Sequence, residues 1–237
     1  YTDTTDCKIS NNNLTITGVN GRPILDATNA GIAKGIWVED GHDVVIDNFE
    51  FRNAHNSNNA AGIRIEDGYI AGGYSPDGGN VTIERCYIHD NDDGILSGSA
   101  DSGDQWYSAN PYITMQYDEF SRAGAGNPGF DHNIYMGWGG NLTFTLQYSW
   151  SNDTQYSGIE VKSREPINNI LYNLINDNLL YNPNSDPGGY QNGGFTMELP
   201  AGGTTYIVGN VIAKGPSCVN CNSADIMWRT QQADVTS

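Results

Sequence analysis

Three stretches of the chain repeat one strand pattern: DGILSGSA from Asp93, HNIYMGWG from His132 and SGIEVKSR from Ser157. Side chains two positions apart lie on the same face of a strand, so the alternating residues of each stretch share a face. Four further stretches fit the same template: GIWVEDG from Gly35, GIRIEDG from Gly62, GFTMELP from Gly194 and DIMWRT from Asp225. We expect the aligned apolar column to form one buried stack of Ile36, Ile63, Ile95, Ile134, Ile159, Phe195 and Ile226.

A second strand family alternates with the first. Its members are LTITGV from Leu14, VVIDNFEF from Val44, VTIERCYI from Val81, YITMQYDEF from Tyr112, LTFTLQYSW from Leu142, NILYNLI from Asn169 and TYIVGNVI from Thr205. Strands that recur at irregular spacings are typical of a β-solenoid whose loops vary in length.

Asparagines mark the expected corners between strands, at Asn53, Asn91, Asn152 and Asn178. Each turn of such a coil adds one strand to each of two or three parallel sheets, and parallel crossovers are right-handed. The sequence therefore predicts an all-β fold, a right-handed parallel β-helix (β-solenoid) of about seven coils.

Length and composition suit one domain of this kind. The chain has 237 residues with 29 glycines, and only 16% of its residues are charged. Many short strands joined by turns have this composition. We expect a single parallel β-helix domain over residues 1–237, with residues 1–12 as an entry segment or cap and residues 231–237 as a tail.

The chain is strongly acidic, with a formal net charge of −17 from 11 basic and 28 acidic residues. Such a surface repels nucleic acid and anionic lipid, so we expect neither nucleic acid nor a membrane as a partner. No run approaches the roughly 18 apolar residues of a membrane span. The chain opens without a charged and apolar leader, which indicates a mature product, and its composition favours a secreted, extracellular protein.

The four cysteines do not form a metal-binding pattern. Cys218 and Cys221 make a single C-x-x-C with no second pair and no nearby histidine, which favours a small disulfide over a zinc site. Cys86 occupies an inward strand position and is expected in the core. Cys7 has no evident partner.

The positions between the buried residues should face outward. The first outward column reads Trp37, Arg64, Leu96, Tyr135, Glu160, Thr196 and Met227, and the second reads Glu39, Glu66, Gly98, Gly137, Lys162, Glu198 and Arg229. This mixture of aromatic, charged and glycine residues favours a binding surface, although charged ladders also protect sheet surfaces. Long loops after Ser99, Gly124 and Asn182 are expected to wall such a groove.

Glu39 and Glu66 open a repeated EDG and should stack at strand spacing. Two stacked carboxylates either raise one pKa or hold a cation, and calcium suits a cluster of oxygen ligands. The alternative is that the Glu39 and Glu66 side chains point apart into solvent and bind no cation.

These features resemble a known group of proteins. The strand arrangement, the Asn corners and the loops resemble the right-handed parallel β-helix proteins of the pectate-lyase-like superfamily. The motifs HNIYMG, EVKSRE and MELPAGGTTYIVGNVIAKGP resemble a group of bacterial secreted β-helix proteins whose biochemical role is poorly defined. The resemblance covers roughly Leu14 to Met227.

A looser likeness is to the polygalacturonases, another β-helix family. Asp92-Asp93, Asp131-His132-Asn133 and Glu160-Val161-Lys162 follow that family's order on successive coils. The likeness implies an acid at Asp92 or Asp93, a supporting His132 and a substrate-binding Lys162. Two positions depart from it, because Asn59-Ala60-Ala61 lacks the family's Asp and Glu160 replaces its Arg. Inverting hydrolysis needs a second carboxylate about 6.5–9.5 Å away, which Glu66 would have to supply.

A lyase reaction needs a base that removes the proton from the carbon beside a uronate carboxylate. It also needs positive charge to stabilise the enolate that results. The candidate catalytic residues are Asp93, His132, Lys162 and Arg164, and the candidate substrate-binding residues are Tyr135, Trp138, Glu160 and Glu198. A salt bridge between Lys162 and Glu198, and a structural His132, are the simpler interpretations.

Two function classes are therefore predicted. One is a secreted polysaccharide-active β-helix protein, either a lyase or hydrolase of uronic-acid glycans or a binder of polysaccharide or oligosaccharide, with calcium as the one candidate cofactor. The other is a structural solenoid that self-associates end to end into a rod.

Overall fold

A computed structural model describes residues 7–28, 34–39, 41–55, 60–66, 80–98, 112–124, 131–137, 143–154, 160–176, 197–200, 203–213 and 226–229. These residues form 22 strands, in chain order β1 (Cys7–Ile9), β2 (Leu14–Thr17), β3 (Ile24–Asp26), β4 (Lys34–Glu39), β5 (Val44–Asp47), β6 (Glu50–Arg52), β7 (Ala61–Glu66), β8 (Asn80–Glu84), β9 (Tyr87–His89), β10 (Asp93–Ser97), β11 (Tyr112–Gln116), β12 (Glu119–Ser121), β13 (Ile134–Met136), β14 (Thr143–Gln147), β15 (Trp150–Asn152), β16 (Val161–Ser163), β17 (Ile167–Leu171), β18 (Leu174–Asn176), β19 (Met197–Pro200), β20 (Thr204–Val208), β21 (Val211–Ala213) and β22 (Ile226–Arg229).

The strands build three parallel sheets in strict rotation. Sheet A has the order β1-β4-β7-β10-β13-β16-β19-β22, sheet B the order β2-β5-β8-β11-β14-β17-β20, and sheet C the order β3-β6-β9-β12-β15-β18-β21. Each turn therefore adds one strand to each sheet, and the described strands make seven full turns and the first strand of an eighth. The predicted right-handed parallel β-helix is confirmed. Strand β1 lies within residues 1–12, the predicted entry segment.

The core runs along the solenoid axis. Ile36, Ile63, Ile95 and Ile134 of sheet A are buried as predicted, and they pack with inward residues of sheets B and C such as Phe51. Ile159 and Phe195 lie outside the described residues, as does the side chain of Ile226. Cys86 is also buried, as predicted, and Cys7 is exposed. Cys218 and Cys221 lie outside the described ranges.

The predicted pairing of sheet A is wrong at the sixth strand. Ile134 pairs with Val161 rather than with Ile159, whereas Val161 pairs with Met197 as predicted. The last strand is shifted in the same way, because Ile226 pairs with Met197 rather than with Phe195. A shift of two residues keeps every side chain on its predicted face, so the period of two could not detect it. The shift does change which outward side chains are neighbours.

Except for LTITGV, which contains β2 alone, each member of the second strand family spans a strand of sheet B and at least the start of one of sheet C. A residue with positive φ turns the chain between them in six coils, namely Asn48, Arg85, Tyr117, Tyr148, Tyr172 and Gly209. The residue after it points inward and forms what we term the corner ladder, which consists of Cys86, Asp118, Ser149, Asn173 and Asn210. Each side-chain oxygen of the ladder accepts a hydrogen bond from the backbone N–H of the preceding ladder residue, at 2.8–3.1 Å.

Within the part of the chain that the structure describes, no helix is long and apolar enough to span a membrane.

Candidate functional site

The candidate site lies on the outer face of sheet A. Strand pairing aligns one outward column across the sheet: Lys8, Trp37, Arg64, Leu96, Tyr135, Lys162, Glu198 and Met227. Although Arg64, Leu96 and Tyr135 point away from the solenoid axis, all three are buried. The middle of this face is therefore a packed polar region rather than a solvated ladder.

Lys162 sits over Tyr135 as a result of the actual register. Its Nζ lies 4.5 Å from the centre of the Tyr135 ring and 3.2 Å from His132 Nε2. The His132 ring meets the edge of the Tyr135 ring, with centroids 5.3 Å apart. The predicted catalytic Lys162 and His132 and the predicted binding residue Tyr135 are thus brought together.

Arg164 joins the same group. Backbone hydrogen bonds place it in the second outward column after Gly98 and Gly137, where the sequence predicted Lys162. Its guanidinium carbon lies 5.5 Å from the centre of the Tyr135 ring. Lys162 and Arg164 are half-buried, so their charged ends reach the surface of the site. Arg64 lies in the same column two strands away, separated from Tyr135 by Leu96, and it donates a hydrogen bond to the Gly98 carbonyl.

Asp93 lies beneath this group as a buried carboxyl. Its Oδ1 accepts a hydrogen bond of 2.7 Å from the backbone N–H of His132. Burial raises the pKa of Asp93 well above its ordinary value, and the charge of Asp131 raises it further, whereas the His132 N–H, Arg64 and Lys162 act in the opposite direction. Burial and the neighbouring Asp131 charge therefore both favour the protonated form of Asp93.

A second histidine belongs to this site and was missed in the sequence. His55 Nδ1 lies 2.7 Å from Oδ1 of the buried Asp92, which follows one coil later. This hydrogen bond raises the pKa of His55, and Asp90 and Asp131 add to the effect. The pair leaves His55 Nε2 as the ring nitrogen that can exchange protons with a ligand. The only signal in the sequence was the position of His55 just after a corner asparagine, Asn53.

The outward orientation predicted for Glu160 is wrong. Glu160 is fully buried inside the solenoid at the start of β16, where Oε1 accepts hydrogen bonds from Thr154 N and Oγ1 and Oε2 accepts from Asn133 Nδ2 and Ser151 Oγ. Burial raises the pKa of Glu160 to about 7, although these four donors lower it. Glu160 precedes Val161, the first residue of β16, so the alternation of the strand does not extend back to it. It cannot contact a ligand on the outer face.

Several other predicted site residues cannot be placed. Trp138 lies outside the described residues, and so do the side chains of Glu198, Glu39 and Glu66. The backbone pairs Lys162 with Glu198 and Glu39 with Glu66, as predicted. Within the described ranges, no three His, Cys, Asp or Glu side chains are arranged to hold a metal ion. The calcium site therefore stays a prediction.

The chain has the architecture of a parallel β-helix, and comparison with known proteins does not assign it to a family. No protein-family model, no curated protein and no solved structure matches it.

Proposed function

We propose that this chain is a secreted, pectate-lyase-like β-helix protein that binds uronic-acid-containing glycans on the outer face of sheet A. The observation that supports this most directly is the placement of Lys162 and Arg164 over the Tyr135 ring, with Arg64 two strands away in the same column, in a protein of net charge −17. A polyanionic glycan is repelled by the molecule as a whole, so it needs a local group of cations to bind at all.

The accessible groups suit a sugar carboxylate. Lys162 and Arg164 present their charges at the surface, and an arginine can bind a carboxylate with two parallel hydrogen bonds. Arg64 is buried and acts through its field. Tyr135 holds both accessible cations in place through its ring face.

The same group supports proton transfer. In a β-elimination, a base takes the proton beside the uronate carboxylate, its electron pair forms the new C=C bond, and the glycosidic oxygen leaves with a proton. Lys162 in its neutral form is the base that the geometry offers, Arg164 then supplies the positive charge at the carboxylate, and His132 at 3.2 Å from Nζ can pass the proton on. In a hydrolysis, Asp93, whose pKa is raised, and Asp131 are the two candidate carboxyl groups.

Binding to polygalacturonate fragments tests the proposal. We expect Lys162→Met and Arg164→Gln each to lose most of the binding, because each removes a charge and keeps most of the side chain. Lys162→Met should also lose some stability, since Nζ contacts His132 and Tyr135, and Lys162→Arg should restore binding. Lys8→Met is the matched control, because it removes a lysine from the same column of sheet A at the far end of the sheet. A wild-type protein that binds no acidic or neutral glycan would rule the proposal out.

Product analysis separates the reactions. A lyase yields an unsaturated uronate that absorbs ultraviolet light, whereas a hydrolase yields new reducing ends without that absorbance. Binding with neither product identifies a non-catalytic glycan-binding protein.

One observation favours the alternative, a solenoid that assembles end to end. Leu14 and Ile16 of β2 and Ile207 of β20 are only partly buried, whereas the matching residues of the inner coils of sheet B are fully buried. Open-ended oligomers in sedimentation, together with no glycan binding, would support this function instead.

A further inference from the structure

The outer surface of sheets B and C changes character along the solenoid axis. Ten of the twelve exposed large apolar or aromatic side chains in the described chain lie on it in the fourth to seventh coils, and 39% to 59% of each is exposed. We term this surface the tyrosine face, and it comprises Tyr112, Tyr117, Tyr148, Trp150, Ile167, Tyr172, Leu174, Tyr206, Val208 and Val211. Exposed apolar patches of this kind mark interaction sites on soluble proteins.

Three tyrosines at successive corners form the centre of the face. The rings of Tyr117 and Tyr148 are stacked with centroids 5.3 Å apart, and those of Tyr148 and Tyr172 with centroids 5.5 Å apart. Gly209 occupies the next corner, where a Cβ atom would lie 2.3 Å from the Tyr172 ring. The face is therefore preorganised, because each ring is held by its neighbours.

In the fifth to seventh coils the tyrosine face is also free of charge. Residues 143–152, 167–176 and 203–213 contain no Asp, Glu, Lys or Arg. The outward column that holds Trp150, Leu174 and Val211 in these coils holds Glu50 and Glu119 in earlier ones. A second column likewise changes from Asp47 and Glu84 to Leu171 and Val208.

We propose that the tyrosine face is the surface through which two copies of this chain associate side by side. Each copy has a net charge of −17, so two copies can approach closely only where neither has charged groups. An apolar face can pair with itself about a twofold axis, which is the commonest symmetry of protein assemblies. A stacked sugar fits less well, because Tyr117 and Tyr172 cover both faces of the Tyr148 ring and Tyr148 covers one face of each of theirs.

The size of the face predicts a weak dimer. Ten residues per coil at about 3.3 Å, over four coils at about 4.8 Å, give roughly 600 Å² per copy. A standard stable interface buries about 800 Å² per partner. The dimer should therefore be concentration-dependent, and salt should strengthen it by screening the repulsion between the acidic copies.

Sedimentation equilibrium of the full chain tests this. We expect a monomer–dimer equilibrium that tightens at high ionic strength. The double variant Trp150→Glu with Leu174→Glu should weaken dimerisation at least tenfold without changing thermal stability, because Glu50 and Glu119 already occupy this column in other coils. The control is Thr15→Glu with Val19→Glu, which adds the same charge at exposed positions outside the face and should dimerise like the wild type.

Three results would overturn the proposal. The wild type could be monomeric at all concentrations and salt levels, or the double variant could dimerise like the wild type. The control variant could also lose as much dimerisation as the double variant. Open-ended oligomers that the double variant leaves unchanged would also overturn it, because they would indicate assembly through the solenoid ends.

Discussion

At the scale of single residues, buried carboxyl groups distinguish this solenoid from an ordinary apolar core. Asp118 lies in the corner ladder, where Oδ1 accepts a hydrogen bond from Cys86 N and Oδ2 has no hydrogen-bond partner. Burial raises the pKa of Asp118 to about 8, so it is mostly protonated at neutral pH. The equivalent positions of later coils hold Asn173 and Asn210, whose amides also donate to a carbonyl of the preceding coil.

We expect Asp118→Asn to stabilise the protein above neutral pH. The folded pKa of Asp118 is raised, so its contribution is fully present below the ordinary value of 3.8 and is lost as the pH rises through about 8. Asparagine keeps the acceptor for Cys86 N and does not titrate. The wild type should therefore lose up to about 1.4 kcal/mol per pH unit relative to the variant in this window.

Urea unfolding of both proteins across this pH window measures the difference. Ser149→Asn, in the next coil of the same ladder, controls for adding an amide, because neither serine nor asparagine titrates in this range. Parallel stability curves for the wild type and Asp118→Asn would show that Asp118 is ionised when folded.

At Glu160 we expect the opposite result, because replacing this buried carboxyl by an amide should destabilise the protein. Thr154 N donates to Oε1 and Asn133 Nδ2 donates to Oε2, so each oxygen faces a group that can only donate. In Glu160→Gln, the amide NH₂ must face one of these donors whichever way it turns. We expect a loss of about 1–3 kcal/mol in the free energy of unfolding.

The comparison with Asp118→Asn is the control, since both variants replace one buried carboxyl by an amide. If Glu160→Gln were as stable as the wild type at neutral pH, one of the two donors would have to rearrange.

At the scale of elements, the strands of sheet A begin with a close approach between coils. Gly94 precedes Ile95 in β10, and a Cβ atom at Gly94 would lie 2.3 Å from the backbone oxygen of Asn133 in the next coil. At Gly62, one coil earlier, the nearest atom is the side-chain amide of Asn91 at 2.8 Å. The glycines before Ile36, Ile63 and Ile95 thus let neighbouring coils pair at normal strand distance.

We expect Gly94→Ala to destabilise the protein more than Gly62→Ala does. The first clash is with a paired backbone that cannot move alone, whereas the end of a side chain can shift. Overpacking of this kind costs about 1–3 kcal/mol. Chemical denaturation measures both variants, with Thr114→Ala on the outer face of β11 as a surface control. Equal losses at the two glycines would contradict the role assigned to the Asn133 carbonyl.

At the scale of the whole molecule, the buried carboxyl groups with raised pKa values all make the protein less stable as the pH rises. Burial raises the pKa of Glu165 to about 8, and the pKa values of Asp93, Asp118 and Glu160 are raised as well. Hydrogen bonds instead lower the pKa values of some surface carboxyls such as Asp90, which matters only in acid. The net charge of −17 adds repulsion that grows as the remaining carboxyls ionise.

We expect the melting temperature to fall as the pH rises from about 5 to about 9. Groups with raised folded pKa values stabilise the protein below their unfolded values near 4 and lose that contribution as the pH passes about 7 to 8. Calorimetry at constant ionic strength measures this. Added salt should raise the melting temperature more at pH 9 than at pH 5, because it screens the net charge. A melting temperature that rises over this range would contradict the raised pKa values.

The amino-acid sequence by itself determined the parallel β-helix, the buried isoleucine column and the outer face on which Lys162 and Tyr135 lie, because the alternation of side chains along a strand is local. Only the tertiary structure decided that Lys162 pairs with Tyr135, that Glu160 turns inward, that His55 meets Asp92 and that three tyrosines stack. The reason is that a pattern with a period of two is unchanged by a shift of two residues, and contacts between coils depend on how each loop returns the chain.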